Sequence, residues 1–337
     1  MKASIKPRID LNNRTKLETV IPLKVPFIIF VDPSDICNFQ CKFCPTGDRK
    51  LIKEIPGRNY GAMDFDLYKK IIDDICEFEK PIKVLRLYKD GEPLINPKFT
   101  EMVRYAKEKK CAERIDTTTN ASLLTPQKNI EIIEAGLDRI NISIEGINAK
   151  QYLEFSNYKI DFEKFVKNIH HLYENKKNCE IIIKINGDIL SDEEKNMFYT
   201  IFGDIADGVY IEHIMSCWPE FELRGVEANQ KFSIYGQPIK EVQVCPYVFY
   251  SFSINSDGSA SACFLDWSRK LIIGDAKNES VKDIWNGKKL LNYQKMFLMK
   301  KRKEHPICCD CGQMTHGMPD NIDEYATELI TRFKGRK

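Results

Sequence analysis

The sequence predicts an α/β protein: a parallel sheet with helices across it, followed by a smaller α+β unit. Three observations carry this. Strand and helix patterns alternate from residue 26 to residue 216. The alternation stops in residues 217–244, an irregular stretch holding Pro219 and Pro238. A hairpin signature then appears around Ser256-Asp257-Gly258. Repeated βα units imply parallel strands joined by right-handed crossovers. Alternation alone leaves open whether the sheet curls into a partial barrel or lies flat and doubly wound.

The elements follow in order. Residues 1–24 form a polar lead-in with Pro7 and Pro22, expected to lie across the main domain. Apolar and β-branched runs mark strands at Phe27–Val31, Ile82–Tyr88, Arg114–Thr118, Arg139–Ile144, Glu180–Asn186 and Gly208–Ile214. Helical periodicity marks Asp64–Phe78, Pro97–Lys109, Pro126–Glu134, Asp161–Glu174 and Asp192–Phe202. Asp64, Asp161 and Ser191 stand where N-caps belong. Past the linker, Val248–Asn255 and Ser259–Phe264 read as a hairpin around Asp-Gly. Helices near Val281–Trp285 and from Lys288 to Lys300 follow. The expected units are therefore 1–24, 25–216, 217–244, 245–320 and a tail at 321–337.

With 51 basic and 49 acidic residues the net charge is +2, which gives no field for nucleic acid. The basic clusters Lys300-Lys301-Arg302-Lys303 and Arg332–Lys337 read as solvated faces. No apolar run approaches a membrane span, and the first twenty residues carry no signal-peptide pattern. A cytoplasmic protein is the expectation. Twelve cysteines in such a chain favour metal binding over disulfides. Cys76, Cys111 and Cys179 stand singly within helix or strand patterns and read as buried packing residues.

The first strand leads into Cys37-x3-Cys41-x2-Cys44, with Phe43 before the third cysteine. Three thiolates in one loop can hold three irons of a 4Fe–4S cube and leave the fourth open to a small molecule. A zinc loop is the alternative, although structural zinc wants four closed ligands. The spacing resembles the signature of the radical S-adenosylmethionine (radical SAM) enzymes. That resemblance implies a partial (β/α)6 barrel of TIM type. It also implies a cluster whose open iron chelates SAM, and reductive cleavage to a 5′-deoxyadenosyl radical that abstracts hydrogen. Phe43 would lie near the adenine.

Other strand ends fit the same resemblance. Asp90-Gly91-Glu92-Pro93 resembles the family's Gly-Gly-Glu-Pro segment, with Asp90 replacing the first glycine. Gly91 would allow close backbone approach, Glu92 would accept from the SAM ammonium, and Pro93 completes the motif. Thr119-Asn120-Ala121 stands where the family often has Thr-Asn-Gly. Ser143 and Glu145 point to one side of their strand and resemble the ribose-binding pair. Lys184 is a candidate partner for the SAM carboxylate.

A second cysteine set lies downstream. The hairpin can bring Cys245 and Cys263 together, and Cys308-x2-Cys311 adds two more thiols. Four thiolates suffice to close a second 4Fe–4S cluster, and zinc is again the alternative. Cys309 could replace Cys308. The pattern, with Ile273-Gly274-Asp275 and Ser280 to Gly287, resembles the SPASM and shorter twitch extensions. The further C-x5-C-x3-C run of full SPASM domains is missing, so one auxiliary cluster is expected.

Glu212 and His213 stand near the end of the sixth strand and Cys217 just past it, at the expected barrel mouth. His213 could act as a base, and Cys217 as a hydrogen-atom donor or a packing residue. The resemblance implies a radical SAM oxidoreductase with a flavodoxin or ferredoxin-type donor. The expected reaction is dehydrogenation of a carbohydrate-like or aminocyclitol alcohol, with the auxiliary cluster accepting an electron. Epimerisation, peptide modification and a non-catalytic iron–sulfur or zinc protein are the alternatives.

Overall fold

The computed structural model describes residues 1–58 and 60–334. Ten strands form one sheet: β1 (Ser4–Ile5), β2 (Ile28–Val31), β3 (Ile82–Arg86), β4 (Ala112–Thr119), β5 (Arg139–Ile144), β6 (Glu180–Asn186), β7 (Gly208–Glu212), β8 (Ser251–Ile254), β9 (Ser259–Ser261) and β10 (Ile272–Asp275). Their spatial order is β1-β7-β6-β5-β4-β3-β2-β8-β9-β10. The six expected strands, β2 to β7, lie side by side in chain order, all parallel. The sheet stays open, so the architecture is a partial barrel with a C-terminal extension.

The crossover helices are Phe65–Cys76, Phe99–Lys109, Pro126–Glu134, Phe162–Asn175 and Asp192–Phe202. Asp64 and Asp161 accept from first-turn N–H groups, and Ser191 with Glu194 makes a reciprocal capping box. Each helix turns an apolar face onto the sheet, as Ile71, Ile72 and Ile75 do on the first. The interior of the sheet is a near-continuous aliphatic layer, with Ile140, Ile142, Ile181, Ile183 and Val209 fully buried.

Several expectations need correction. Tyr247–Tyr250 forms a helical turn, not the start of a strand, and the strand begins at Ser251. A short apolar run reads equally as buried strand or buried helix, and here Ser251 Oγ donates to the Tyr247 carbonyl at 3.1 Å to close the turn. Strand β8 also pairs in parallel with β2, so the hairpin continues the barrel sheet. Arg302 is buried rather than solvated, and Cys76 is exposed, unlike Cys111 and Cys179. In the basic tail, Arg332 bonds the Glu18 and Ile21 carbonyls, while residues 335–337 lie outside the described residues.

The lead-in has a defined course. Strand β1 adds to the free edge of β7. Lys6 then pairs with Glu180 at 2.8 Å, and Arg139 donates to the Arg8 carbonyl at 2.9 Å. Further on, Lys83 reaches Thr15 at 3.2 Å and Arg14 pairs with Asp320 at 2.5 Å. The segment thus crosses from the β7 edge to the β3 side and the C-terminal region.

A buried ionic cluster joins the loops above the sheet. Asp90 receives Lys89 at 2.8 Å, Arg269 at 2.8 Å and Arg58 at 3.4 Å. Arg58 also pairs with Asp35 at 3.3 Å and donates to the Trp267 carbonyl. Lys89 reaches the Asp266 carbonyl at 3.1 Å. Asp32 completes the group and accepts from the Asp90 N–H at 3.3 Å. Burial, with Asp90 close by, pushes the Asp32 carboxyl up to about 8. The unfolded chain releases this proton at about pH 4, well before the folded one does. Stability is therefore lost progressively as pH rises through that window. Asp32→Asn copies the protonated form. Its melting temperature relative to wild type should climb between roughly pH 5 and pH 8. A falling difference over that range would contradict the protonated assignment.

Candidate active site

The loop after β2 carries Cys37, Cys41 and Cys44. Its backbone is pinned from several sides. Gln40 and Lys42 N–H groups donate to the Ser156 and Phe155 carbonyls at 2.8 and 3.1 Å. Arg224 donates to the Cys41 carbonyl at 2.7 Å. Glu92 N–H donates to the Ile36 carbonyl at 2.8 Å. A β-carbon on Gly91 would collide with the Ser34 and Ile36 carbonyl oxygens. Gly91 therefore lets the β3 loop approach the cysteine loop itself. Sulfur atoms in this loop are met by backbone N–H groups: Phe39 at Cys37, and Thr46 with Gly47 at Cys44.

A cavity of about 300 Å3 opens over this loop at the C-terminal ends of the strands. All three cysteines, Phe43, Gly91 and Glu92 line it. So do Asn120, Ser143, Glu145 and Lys184, and on the far side Glu212, His213 and Cys217. Pro93 stands just behind, opening a 3-10 turn that Glu92 caps through the Leu94 N–H at 3.1 Å. Glu92 also accepts from Thr119 at 2.5 Å and from the Asn120 N–H at 2.8 Å. Burial nevertheless raises its carboxyl to about 7. Asn120 reaches Asn38 at 2.9 Å, and Ala121 takes φ +59°, a conformation that suits glycine.

Three acceptors are buried in this region without a partner among the described residues: Thr118 Oγ1, Glu145 Oε2 and Glu212 Oε1. Lys184 is paired with Glu212 at 2.5 Å, so its ammonium already has a carboxylate. Burial lifts Glu145 to about 7, against the pull of Lys184.

The second cysteine set converges behind Phe264, Leu265 and Gln313, which line the cavity, while the four cysteines themselves do not. Cys245, Cys263, Cys308 and Cys311 lie within electrostatic range of one another. Backbone N–H groups aim here too: Tyr247 and Val248 at Cys245, Leu265 at Cys263 (3.3 Å), and Gln313 and Met314 at Cys311. Cys309 is turned away, donating to the Pro306 carbonyl at 3.3 Å. A β-carbon on Gly312 would strike the Ser216 carbonyl, so this loop lies directly on Ser216-Cys217. Cys217 is thereby held between the sets, in range of both Cys311 and Cys44.

A profile described as the radical SAM superfamily matches residues 31–198, and one described as an iron–sulfur cluster-binding domain, SPASM, matches residues 245–312. The chain belongs to the radical SAM superfamily. It is 25% identical to the AdoMet-dependent heme synthase of Methanosarcina barkeri over 288 residues, 74% of this chain and 79% of that protein. Two other curated relatives match over only 32% and 36% of their own lengths. Among solved structures, BtrN in complex with AdoMet and 2-DOIA superposes with TM-score 0.59 at 18% identity, over 89% of this chain and 98% of that one. SuiB of Streptococcus suis bound to precursor peptide SuiA gives TM-score 0.62 at 15% identity, over 89% and 72%. These two likenesses concern the fold.

As a radical SAM enzyme with a SPASM domain, the protein uses SAM and two iron–sulfur clusters. The residues present fit such groups. Each sulfur set has N–H donors ready for thiolate charge, and the cavity offers unpartnered acceptors. Among the described residues no three His, Cys, Asp or Glu side chains stand close enough to chelate one ion. A cube differs from such a site in spreading its thiolates over separate irons.

Sequence reading missed two supports. Arg224 sits in the irregular linker, where no periodicity marks it. Arg302 hides in a lysine-rich run, yet donates to the Cys308 and Cys309 carbonyls at 3.3 and 3.1 Å and pairs with Glu241 at 2.8 Å. Arg302→Ala should therefore lower reconstituted iron from about eight per chain towards about four. Unchanged iron content would contradict the support role. Glu92→Gln can keep one acceptor oxygen but loses its charge. On protein with full iron, SAM affinity should fall by about 1.5–3 kcal/mol, roughly 10- to 150-fold. An unchanged titration would remove Glu92 from the SAM site.

Proposed function

We propose that this radical SAM enzyme dehydrogenates a small carbohydrate-like alcohol. The observation that carries the reading is His213. Its Nδ1 lies 2.7 Å from Asp188 Oδ1, and Asn229 donates to the same oxygen at 3.0 Å. The ring stacks on Phe232 at 5.7 Å. Read as the Nδ1–H tautomer donating to Asp188, with Asn229 also 3.0 Å from Nδ1, His213 keeps Nε2 as an acceptor on a residue lining the cavity. Turning a carbinol into a ketone removes a proton besides the hydrogen atom and an electron. In this reading His213 takes that proton. The unpartnered Oε1 of Glu212 can accept from a second substrate hydroxyl.

When bound, the clusters and SAM would supply hydrogen-atom abstraction beside Cys37, Cys41 and Cys44 and an electron acceptor at the second cysteine set. A cavity of about 300 Å3 supports a small substrate. A flavodoxin or ferredoxin-type protein would supply the electron. The seven spaced cysteines would be the ligands, with Phe43, Asn120, Ser143 and Glu145 disposed around SAM.

Epimerisation is the second reading, and Cys217 favours it. Its thiol lines the same cavity, and burial pushes it up to about 12, so it keeps its hydrogen at neutral pH. Turnover of a panel of cyclitols and sugars in heavy water separates the two. Dehydrogenation gives a ketone from wild type and Cys217→Ala alike, and His213→Asn slows it by roughly 10²- to 10⁴-fold. Solvent deuterium on the product carbon, lost in Cys217→Ala, would replace dehydrogenation by epimerisation.

A further inference from the structure

Arg8 is the feature that the proposed reaction does not use. It lines the substrate side of the cavity, together with Tyr88, Glu212, Tyr235 and Tyr247. The lead-in puts it there. Strand β1 fixes Ser4 and Ile5 on β7, and Arg139 clamps the Arg8 carbonyl. Its guanidinium makes one long hydrogen bond, from Nε to the Tyr235 hydroxyl at 3.4 Å.

It has no ion-pair partner among the described residues, although Glu212, Tyr88 and Tyr235 favour its charge from a distance. Among the described residues every other arginine that is not exposed has a carboxylate partner: Arg14 with Asp320, Arg58 with Asp35, Arg86 and Arg114 with Asp116, Arg139 with Glu180, Arg224 with Asp48, Arg269 with Asp90 and Arg302 with Glu241. Arg8 has none within ion-pair distance, and Glu212, the acid nearest in the cavity, is engaged by Lys184. A guanidinium cannot shed its proton to relieve burial. A permanent cation facing a ligand cavity without a counter-ion calls for an anion on the ligand.

We infer that Arg8 is a substrate-binding residue that takes a carboxylate group, so that the substrate is a small hydroxy acid. This rests on the proposed reading of the cavity as a substrate site. A planar carboxylate matches the guanidinium fork. A phosphate dianion would bring twice the charge towards Glu212 and Glu145, and the one net positive charge at Arg8 does not balance it. The free Glu212 oxygen complements the hydroxyl of the same molecule.

The test uses the reconstituted full-chain holoenzyme with SAM, and glycolate, inorganic phosphate and chloride as probes at matched ionic strength. Glycolate should raise the melting temperature of wild type above chloride, saturably, and more than phosphate does. Arg8→Gln should raise the glycolate dissociation constant at least tenfold, and Arg8→Lys should restore part of the binding. Melting temperatures and iron content in chloride check that both variants are folded. No glycolate effect in wild type, or an equal effect in Arg8→Gln, would overturn the inference. A larger effect of phosphate would overturn the carboxylate assignment. SAM cleavage by reduced wild type is measured separately. If it is absent, the enzymatic reading fails while the anion result stands on its own.

Discussion

The ionic cluster around Asp90 is the constraint on which the rest of the site depends. It gathers the loop after β2 through Asp35, the loop after β3 through Lys89 and Asp90, and the C-terminal extension through Arg269 and the Asp266 and Trp267 carbonyls. Removing one member of such a buried cluster strands the remaining charges, which typically costs about 3–5 kcal/mol. The departure from glycine at Asp90 makes sense here. Its side chain turns to Arg58, Lys89 and Arg269, and the neighbouring Gly91 keeps the tight approach to the cysteine loop.

The extension is built onto the barrel as well as after it. Strand β8 prolongs the sheet beside β2, and Phe30 of β2 stacks on Phe264 at 4.8 Å. Residues of the irregular linker cover the first cysteine loop: Arg224 braces the Cys41 carbonyl, and Phe221 and Trp218 pack with Trp267 and Ile52. Trp267 also donates to the Pro219 carbonyl at 2.7 Å. The cavity is thus bounded by the first cysteine set, the strand ends and, through Phe264, Leu265 and Gln313, the extension.

Much of this was legible in the sequence. The six parallel strands and five crossover helices carry strong periodicity and sharp caps, and the spacing of Cys37, Cys41 and Cys44 marks the loop over which the cavity opens. What escaped reading depends on tertiary contact. Ser4–Ile5 is a strand only because the β7 edge is open to it. The apolar run Tyr247–Tyr250 has no local feature to separate helix from strand. Arg8, Arg224 and Arg302 look like ordinary surface arginines in the sequence, and only the fold supplies the carbonyls, hydroxyls and cavity that they meet. Lys184 could be placed at the mouth by its strand, but its pairing with Glu212 depends on the register between β6 and β7.

Mössbauer spectroscopy of the anaerobically reconstituted protein, before and after adding SAM, tests the account most directly. Two 4Fe–4S clusters should be present, and SAM should perturb only one of them, by altering a single iron site that lacks a cysteine ligand. A single cluster, or two clusters whose spectra are indifferent to SAM, would contradict an enzyme that holds SAM at an open first cluster and closes a second cluster with four cysteines.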